Sequence, residues 1–220
     1  KVVIPVLGHL GIQKLDWIVR SHPHADHIGG LVSVVESIRA DILLDTYTGY
    51  GSWTYNHIID RFTDLGTIIK TPDAGEIMQI TPMESIYYFA PDSMFSLKQR
   101  NVNNASIVFK LVAGEKSILF TGDLEHDGDN ALLAFGEYLD VDVLKVGHHG
   151  SITSTTEKVL LKMKSELAVV SVGNGNKFSH PSPVVMDRLA QNQIKIHRTD
   201  HSGALWLESD GQSYWKKEWK

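Results

Sequence analysis

The stretch Ser21–Leu31, "SHPHADHIGGL", sets three histidines and an aspartate, His22, His24, Asp26 and His27, within six residues. A continuous helix would hold His22 and His24 about 200° apart around its axis, and Pro23 would break its interior. Convergence of these side chains therefore requires a loop at the end of the preceding buried strand, "LDWIV" (15–19). In such a loop His22 and His24 face one point, while Asp26 and His27 turn toward a second. Gly29 and Gly30 let the backbone pass close by before a helix begins. Imidazole combined with carboxylate suits zinc, manganese or iron, whereas calcium and magnesium take more oxygen.

Two later segments repeat the design. "KSILFTGDLEHDGDN" is an apolar strand that stops at Thr121-Gly122-Asp123, and "VDVLKVGHHGS" is another that stops at Gly147-His148-His149-Gly150-Ser151. Side chains just beyond the carboxyl ends of strands in an α/β sheet converge on a crevice. Three strands ending in ligand-type residues are what a site assembled from distant segments requires.

The rest of the chain alternates helical and strand patterns. Helices are expected near 2–10, 28–39, 54–66, 127–138, 155–164 and 182–191, with strands at 15–19, 41–45, 67–70, 141–146, 167–172 and 194–198. Between residues 74 and 120 the texture is β-rich, with four strands, and a last hairpin turns at Asp210-Gly211. This predicts an α/β or α+β fold in one domain over residues 1–220. The longest aperiodic stretch, "PDSMFSLKQRNVN" (91–103), is of the kind that often carries function. Val2, Val3, Val6, Leu7 and Leu10 recur at helical spacing without an initiator methionine, so the chain reads as entered from an upstream piece.

Composition narrows the classes. No cysteine is present, which excludes disulfides and thiolate metal sites. No run approaches the roughly 18 apolar residues of a bilayer span. The formal net charge of −5 shows none of the basic excess that marks nucleic-acid binding, and "LKQR" (97–100) and the terminal "WKKEWK" read as solvated surface.

"HPHADH", "FTGD" and "GHHGS", in this order, resemble the successive motifs of the metallo-β-lactamase superfamily, an αββα sandwich with one or two metals at its edge. More narrowly, "LGIQKLDWIVRSHPHADHIGGL", "DVLKVGHHGSITST", "GNKFSHPSPVVMDRL" and "HRTDHSGALWL" resemble the hydrolase domain of ComEC-type competence proteins. The resemblance runs from about residue 2 to 215. Two opening strands of that family, one with a GQGD-like turn and one ending near DGG, have no counterpart here. The resemblance thus implies an N-terminally incomplete sandwich.

It also implies roles. His22 and His24 would hold one divalent metal, and Asp26 and His27 the second, zinc foremost and manganese as the other option. Asp123 would bridge them, and His148 or His149 would complete the second site. A further superfamily histidine is replaced here by Asn103 or Asn104; both are candidates on the substrate side, and an amide in place of imidazole would weaken the first metal. Asp26 would also orient a metal-activated hydroxide. His180, in "FSHPSP", matches a late "GHP" histidine and would donate to a phosphate oxygen or leaving group. Ser151 and the backbone after Gly150 would steady an anionic oxygen.

The activity implied is that of a phosphodiesterase, in the ComEC branch a nuclease acting on DNA, placed outside the cytoplasm and tied to a membrane through a parent protein, or secreted. The competing expectations are a phosphorylcholine esterase, a lactone or other acyl hydrolase, and a degenerate metal-binding domain without catalysis. His9, His57, His126, His197 and His201 lack comparable neighbours and are expected at the surface. Trp53, Tyr55, Tyr87 and Tyr88 are expected to serve ordinary packing.

Overall fold

Short runs rich in β-branched and aromatic residues form the strands, and their period-two burial decides which face each one presents. The computed structural model describes residues 2–46, 50–92 and 101–218. Its first sheet holds β1 (Lys14–Val19), β2 (Arg39–Leu44) and β3 (Ile68–Lys70), parallel and in that order. The second begins as an antiparallel meander of β4 (Ile77–Thr81), β5 (Glu84–Ala90), β6 (Val108–Ala113) and β7 (Lys116–Phe120). It continues in parallel through β8 (Val143–Lys145), β9 (Leu167–Val170) and β10 (Lys195–Arg198).

Successive residues of one strand enter different cores. Ile18 and Leu43 pack outward with helices α1 (Val3–His9), α2 (Ala25–Ile28), α3 (Leu31–Ser37) and α4 (Trp53–Asp64) through Ile28, Val34, Val35, Ile58 and Phe62. Their neighbours Val19 and Leu44 point inward and meet Ile86, Tyr88 and Ile107 between the sheets. On the far side, Leu119, Leu144, Ala168 and Val170 pack against α5 (His126–Leu132), α6 (Glu157–Met163) and α7 (Pro183–Gln191) through Leu132, Val159, Leu160, Val185 and Leu189. Full burial of each large aliphatic side chain contributes about 1.5–3 kcal/mol. The layers run helix, sheet, sheet, helix, the αββα sandwich that the motifs imply. A short helix, α8 (Thr199–Ser202), and the antiparallel pair β11 (Trp206–Ser209) and β12 (Tyr214–Lys217) close the chain.

Several boundaries differ from the sequence reading. The helix expected from residue 28 starts at Ala25 as one short turn, and a second helix follows after Gly29 and Gly30. Asp26 and His27 therefore ride on a helical turn, not on the loop. The helix expected over 127–138 ends at Leu132; a tighter 3₁₀ segment follows and kinks at Gly136, where φ is 55°. His197 is buried on β10, its Nε2 3.1 Å from the Gly203 carbonyl oxygen, and is not a surface residue. Of the aperiodic stretch 91–103, residues 93–100, with the "LKQR" patch, lie outside the described residues. Its end folds as a 3₁₀ turn, Val102–Ala105.

Candidate metal centre

Three strand tips meet at one edge of the sandwich. β1 runs into Ser21 and His22, β7 into Gly122 and Asp123, and β8 into His148 and His149. Backbone hydrogen bonds tie the tips together: Ile107 N–H donates to Ser21 O at 2.8 Å, and His148 N–H donates to Gly122 O at 3.1 Å. Asp123 N–H donates to Ser106 Oγ at 3.1 Å. Gly122 has φ +54°, and a Cβ there would stand 2.7 Å from Ser106 Cβ and 3.2 Å from Ser21 Cβ. Only glycine fits where the tips converge.

His148 and His149 both take left-handed backbone, with φ 44° and 53°. For non-glycine residues this costs about 1–3 kcal/mol each and persists only where the surroundings impose it. Here Ser151 N–H donates to His148 O at 2.8 Å, and Ser154 Oγ donates to Gly147 O at 2.7 Å. The double turn brings both imidazoles to Asp123 Oδ2, with His148 Nε2 at 3.8 Å and His149 Nε2 at 3.5 Å.

Around Asp123 gathers a compact cluster. Asp26, His27, Asp123 and His149 each offer one ligand atom, all within 4.8 Å of one another. His27 Nε2 lies 3.0 Å from Asp123 Oδ2 and 3.3 Å from His149 Nε2. His149 Nε2 is 3.5 Å from Asp123 Oδ2 and 3.6 Å from Asp26 Oδ2. Outer contacts fix the rings. Ser21 Oγ sits 3.0 Å from His27 Nδ1, and His149 Nδ1 donates to the Ser171 carbonyl oxygen at 2.8 Å. A carbonyl only accepts, so the neutral His149 ring presents a lone pair at Nε2. The Asp26 side chain is 61% exposed and stands at the rim.

His22 and His148 stand farther off, each with Nε2 3.8 Å from the same Asp123 Oδ2, and the His22 ring is 4.1 Å from that of His27. His22 Nε2 and Asp123 Oδ1 are buried and have no hydrogen-bond partner among the described residues. Burial, reinforced by His27, lowers the His22 pKa to about 3, so this ring is neutral at physiological pH. Burial alone would raise the Asp123 carboxyl; the hydrogen bond and charge of His27, with His149 and His22, outweigh it and hold the group well below the usual carboxylate range. Imidazoles around a buried carboxylate, with buried ring and carboxylate atoms left unpartnered, form a donor set that fits divalent cations.

The structure separates the remaining candidates. His24 is outside the compact cluster; its ring is 4.8 Å from that of His22 and 5.9 Å from that of Tyr50. Asn104 is buried and its Oδ1 accepts from Glu125 N and Gly128 N at 2.9 and 3.3 Å, which caps α5 and leaves the oxygen committed to the backbone. Asn103 Oδ1, in contrast, is buried without a partner. Ser151 is buried, its N–H is engaged by His148 O, and its hydroxyl lies 3.0 Å from Thr153 Oγ1. These contacts brace the histidine turn. His180 lies beside the centre, its ring 5.8 Å from that of His148, with its pKa lowered by burial and by His148 and His149.

Tyr55 covers the Arg20 guanidinium at 4.6 Å, Arg20 pairs with Asp45, and Tyr88 is buried. Trp53 departs from the packing expectation: it is 74% exposed and stacks on His57 at 4.9 Å. Sequence reasoning missed Glu125, whose carboxylate lies beside His148. It stands two residues past Asp123, and that position was its only available signal.

Comparison with known proteins agrees with this geometry. The profile described as "Metallo-beta-lactamase superfamily" matches residues 100–173. ComE operon protein 3 of Bacillus subtilis (strain 168) is 29% identical over 205 residues, covering 93% of this chain and 26% of that protein. Competence protein ComA of Neisseria gonorrhoeae is 32% identical over 206 residues, covering 92% of this chain and 26% of that protein. The chain thus spans about a quarter of the length of the curated relatives it matches. Among solved structures, the diiron β-hydroxylase CmlA from Streptomyces venezuelae superimposes with a TM-score of 0.56 at 14% identity, covering 84% of this chain and 44% of that one. At such identity the likeness shows the fold alone. With its layer order and strand-tip cluster, the chain is similar to the metallo-β-lactamase superfamily over residues 100–173 and to ComEC-type competence proteins over most of its length.

Proposed function

We propose that this chain is a metal-dependent phosphodiesterase that cleaves DNA. The observation that carries this reading is the convergence of Asp26, His27, Asp123 and His149 from three strand tips, with His22 Nε2 and Asp123 Oδ1 left unpartnered beside them. When bound, divalent cations would draw charge from the phosphoryl oxygens and acidify water for attack. Asp26, exposed at the rim and 3.6 Å from His149 Nε2, is placed to orient that water and accept its proton. His180, beside the centre with its ring 5.8 Å from that of His148, would donate a ring N–H to the departing oxygen. His22 and Asp123 stay buried and anchor the centre.

The preference for a phosphodiester over an acyl substrate rests on the likeness to the competence proteins, and DNA follows from the same likeness. A position outside the cytoplasm belongs to the same proposal; no helix among the described residues is long and apolar enough to cross a membrane. The test is hydrolysis of bis(p-nitrophenyl) phosphate and of single- and double-stranded DNA by metal-stripped protein reloaded with zinc or manganese. Nitrocefin, a lactone and p-nitrophenyl phosphorylcholine run in parallel. Metal-dependent cleavage of DNA and the diester, abolished in Asp123→Asn, supports the proposal. Cleavage confined to any of the other three substrates sinks it.

A further inference from the structure

Glu125 lies outside the ligand cluster, yet its carboxylate is held on three sides by the loops that build the centre. Asn103 Nδ2 donates to Oε1 at 2.7 Å, and Asn101 Nδ2 donates to Oε2 at 2.9 Å. His148 Nδ1 stands 3.2 Å from Oε1 and has no other partner among the described residues, although its present angle falls short of a hydrogen bond. Glu125 N–H in turn donates to Asn104 Oδ1. One side chain therefore joins the asparagine turn before β6, the loop after β7 and the histidine turn after β8.

The chemistry of these contacts is directional. A carboxylate accepts and does not donate. The Asn103 amide must then face Glu125 with its NH₂, which turns Oδ1 to the opposite side, where that oxygen is buried and unpartnered. The same carboxylate favours the His148 tautomer that carries hydrogen on Nδ1, and this frees the Nε2 lone pair 3.8 Å from Asp123 Oδ2. Asn101 keeps the turn in register, since its Oδ1 accepts from Asn103 N at 3.0 Å.

Resting on the reading of the centre as a cation site, we propose that Glu125 is a positioning residue: it sets the His148 tautomer, which frees Nε2 beside Asp123, and holds the Asn103 amide so that its Oδ1 stays unpartnered. Outer carboxylates of this kind fix ring orientation and raise ligand basicity, and their loss typically weakens metal binding about 10–100-fold.

The experiment compares wild type with Glu125→Gln and Glu125→Asp. Glutamine can accept from one amide, but its own NH₂ then opposes another donor. Ring-nitrogen NMR of the metal-free chains reads the His148 tautomer, and calorimetric titration with zinc reads each equivalent separately. Wild type is expected to carry hydrogen on His148 Nδ1 and to bind two equivalents. In Glu125→Gln the tautomer shifts toward Nε2–H and the weaker equivalent loses about 10–100-fold in affinity, with the tighter one unchanged. Glu125→Asp recovers part of both. Unchanged tautomer or unchanged affinity in Glu125→Gln, beside a wild type that binds two equivalents, overturns this proposal alone. A wild type that binds no cation overturns the reading on which it rests. Should Glu125→Gln fail to fold, Glu125→Asp carries both measurements, and wild-type values for both would overturn the proposal.

Discussion

His149 donates its Nδ1 hydrogen to the Ser171 carbonyl oxygen at 2.8 Å, and this hydrogen bond turns Nε2 onto Asp123 Oδ2, 3.5 Å away. The sequence offered two adjacent histidines; the structure gives them different partners. His149 closes the cluster with His27, and His148 faces Glu125. His149→Ala is therefore expected to lose the cation held against His27, with affinity for that equivalent down by at least about 100-fold. Metal analysis after gel filtration reads this directly. Full metal content in the variant would remove His149 from the centre.

Asp123 Oδ2 lies 3.0–3.8 Å from Nε2 of His22, His27, His148 and His149, so its replacement should act on the whole centre. Asp123→Asn keeps the shape and removes the charge that the surrounding imidazoles face. It is expected to lose both cations and to reduce diester hydrolysis by more than about 100-fold. Metal analysis and a steady-state assay are enough. Retention of hydrolysis within tenfold of wild type would contradict the assignment.

The neighbours Asn103 and Asn104 should separate stability from metal binding. Asn104→Ala leaves Glu125 N and Gly128 N without their cap. The expected cost is about 1–2 kcal/mol in unfolding free energy, by denaturant titration of the metal-free chain. The exposed surface of the centre is untouched, so its metal affinity should hold. Asn103→Ala should do the reverse. If both variants lose stability equally and metal equally, the division between cap and donor is wrong.

Asp129 gives a test of pH dependence away from the ligands. Its carboxyl is buried on α5, accepts from Thr156 N at 2.7 Å, and is pushed up to about 6 by that burial, against the opposing hydrogen bond. The folded state thus takes up a proton at higher pH than the unfolded chain, so this group's contribution to stability rises as pH falls from about 6 toward 4. At neutral pH it carries a buried charge at a cost of about 3 kcal/mol at most. Asp129→Asn keeps an acceptor for Thr156 N and should raise stability by about 1–3 kcal/mol at pH 7.5, with the gain shrinking at pH 5. An equal gain at both pH values would refute the shifted titration.

Much of this was legible in the residues. Ile18 and Val19 announce a strand buried on both faces, and the ligand-type residues after "LDWIV", "KSILF" and "VDVLKV" announced that three tips share a site. The pairing of each histidine was not legible, because it depends on φ at two positions and on a backbone carbonyl 22 residues away. Periodicity carries no such information. The same holds for the breaks at Gly29-Gly30 and Gly136, where tertiary packing overrides helical pattern. Trp53 reads as a core residue by type, and only the observed layer shows it facing solvent.

The donor atoms come from two halves that each carry an outer core besides the one they share between the sheets. His22, Asp26 and His27 belong to the three-stranded side, whose core is built on Phe62 and Leu43, while Asp123, His148 and His149 belong to the seven-stranded side, built on Leu144 and Val170. A cation shared by His27 and His149 would act as a rivet through the seam between them. Chelation should then do more than silence chemistry: it should loosen that seam and lower the temperature at which the chain unfolds.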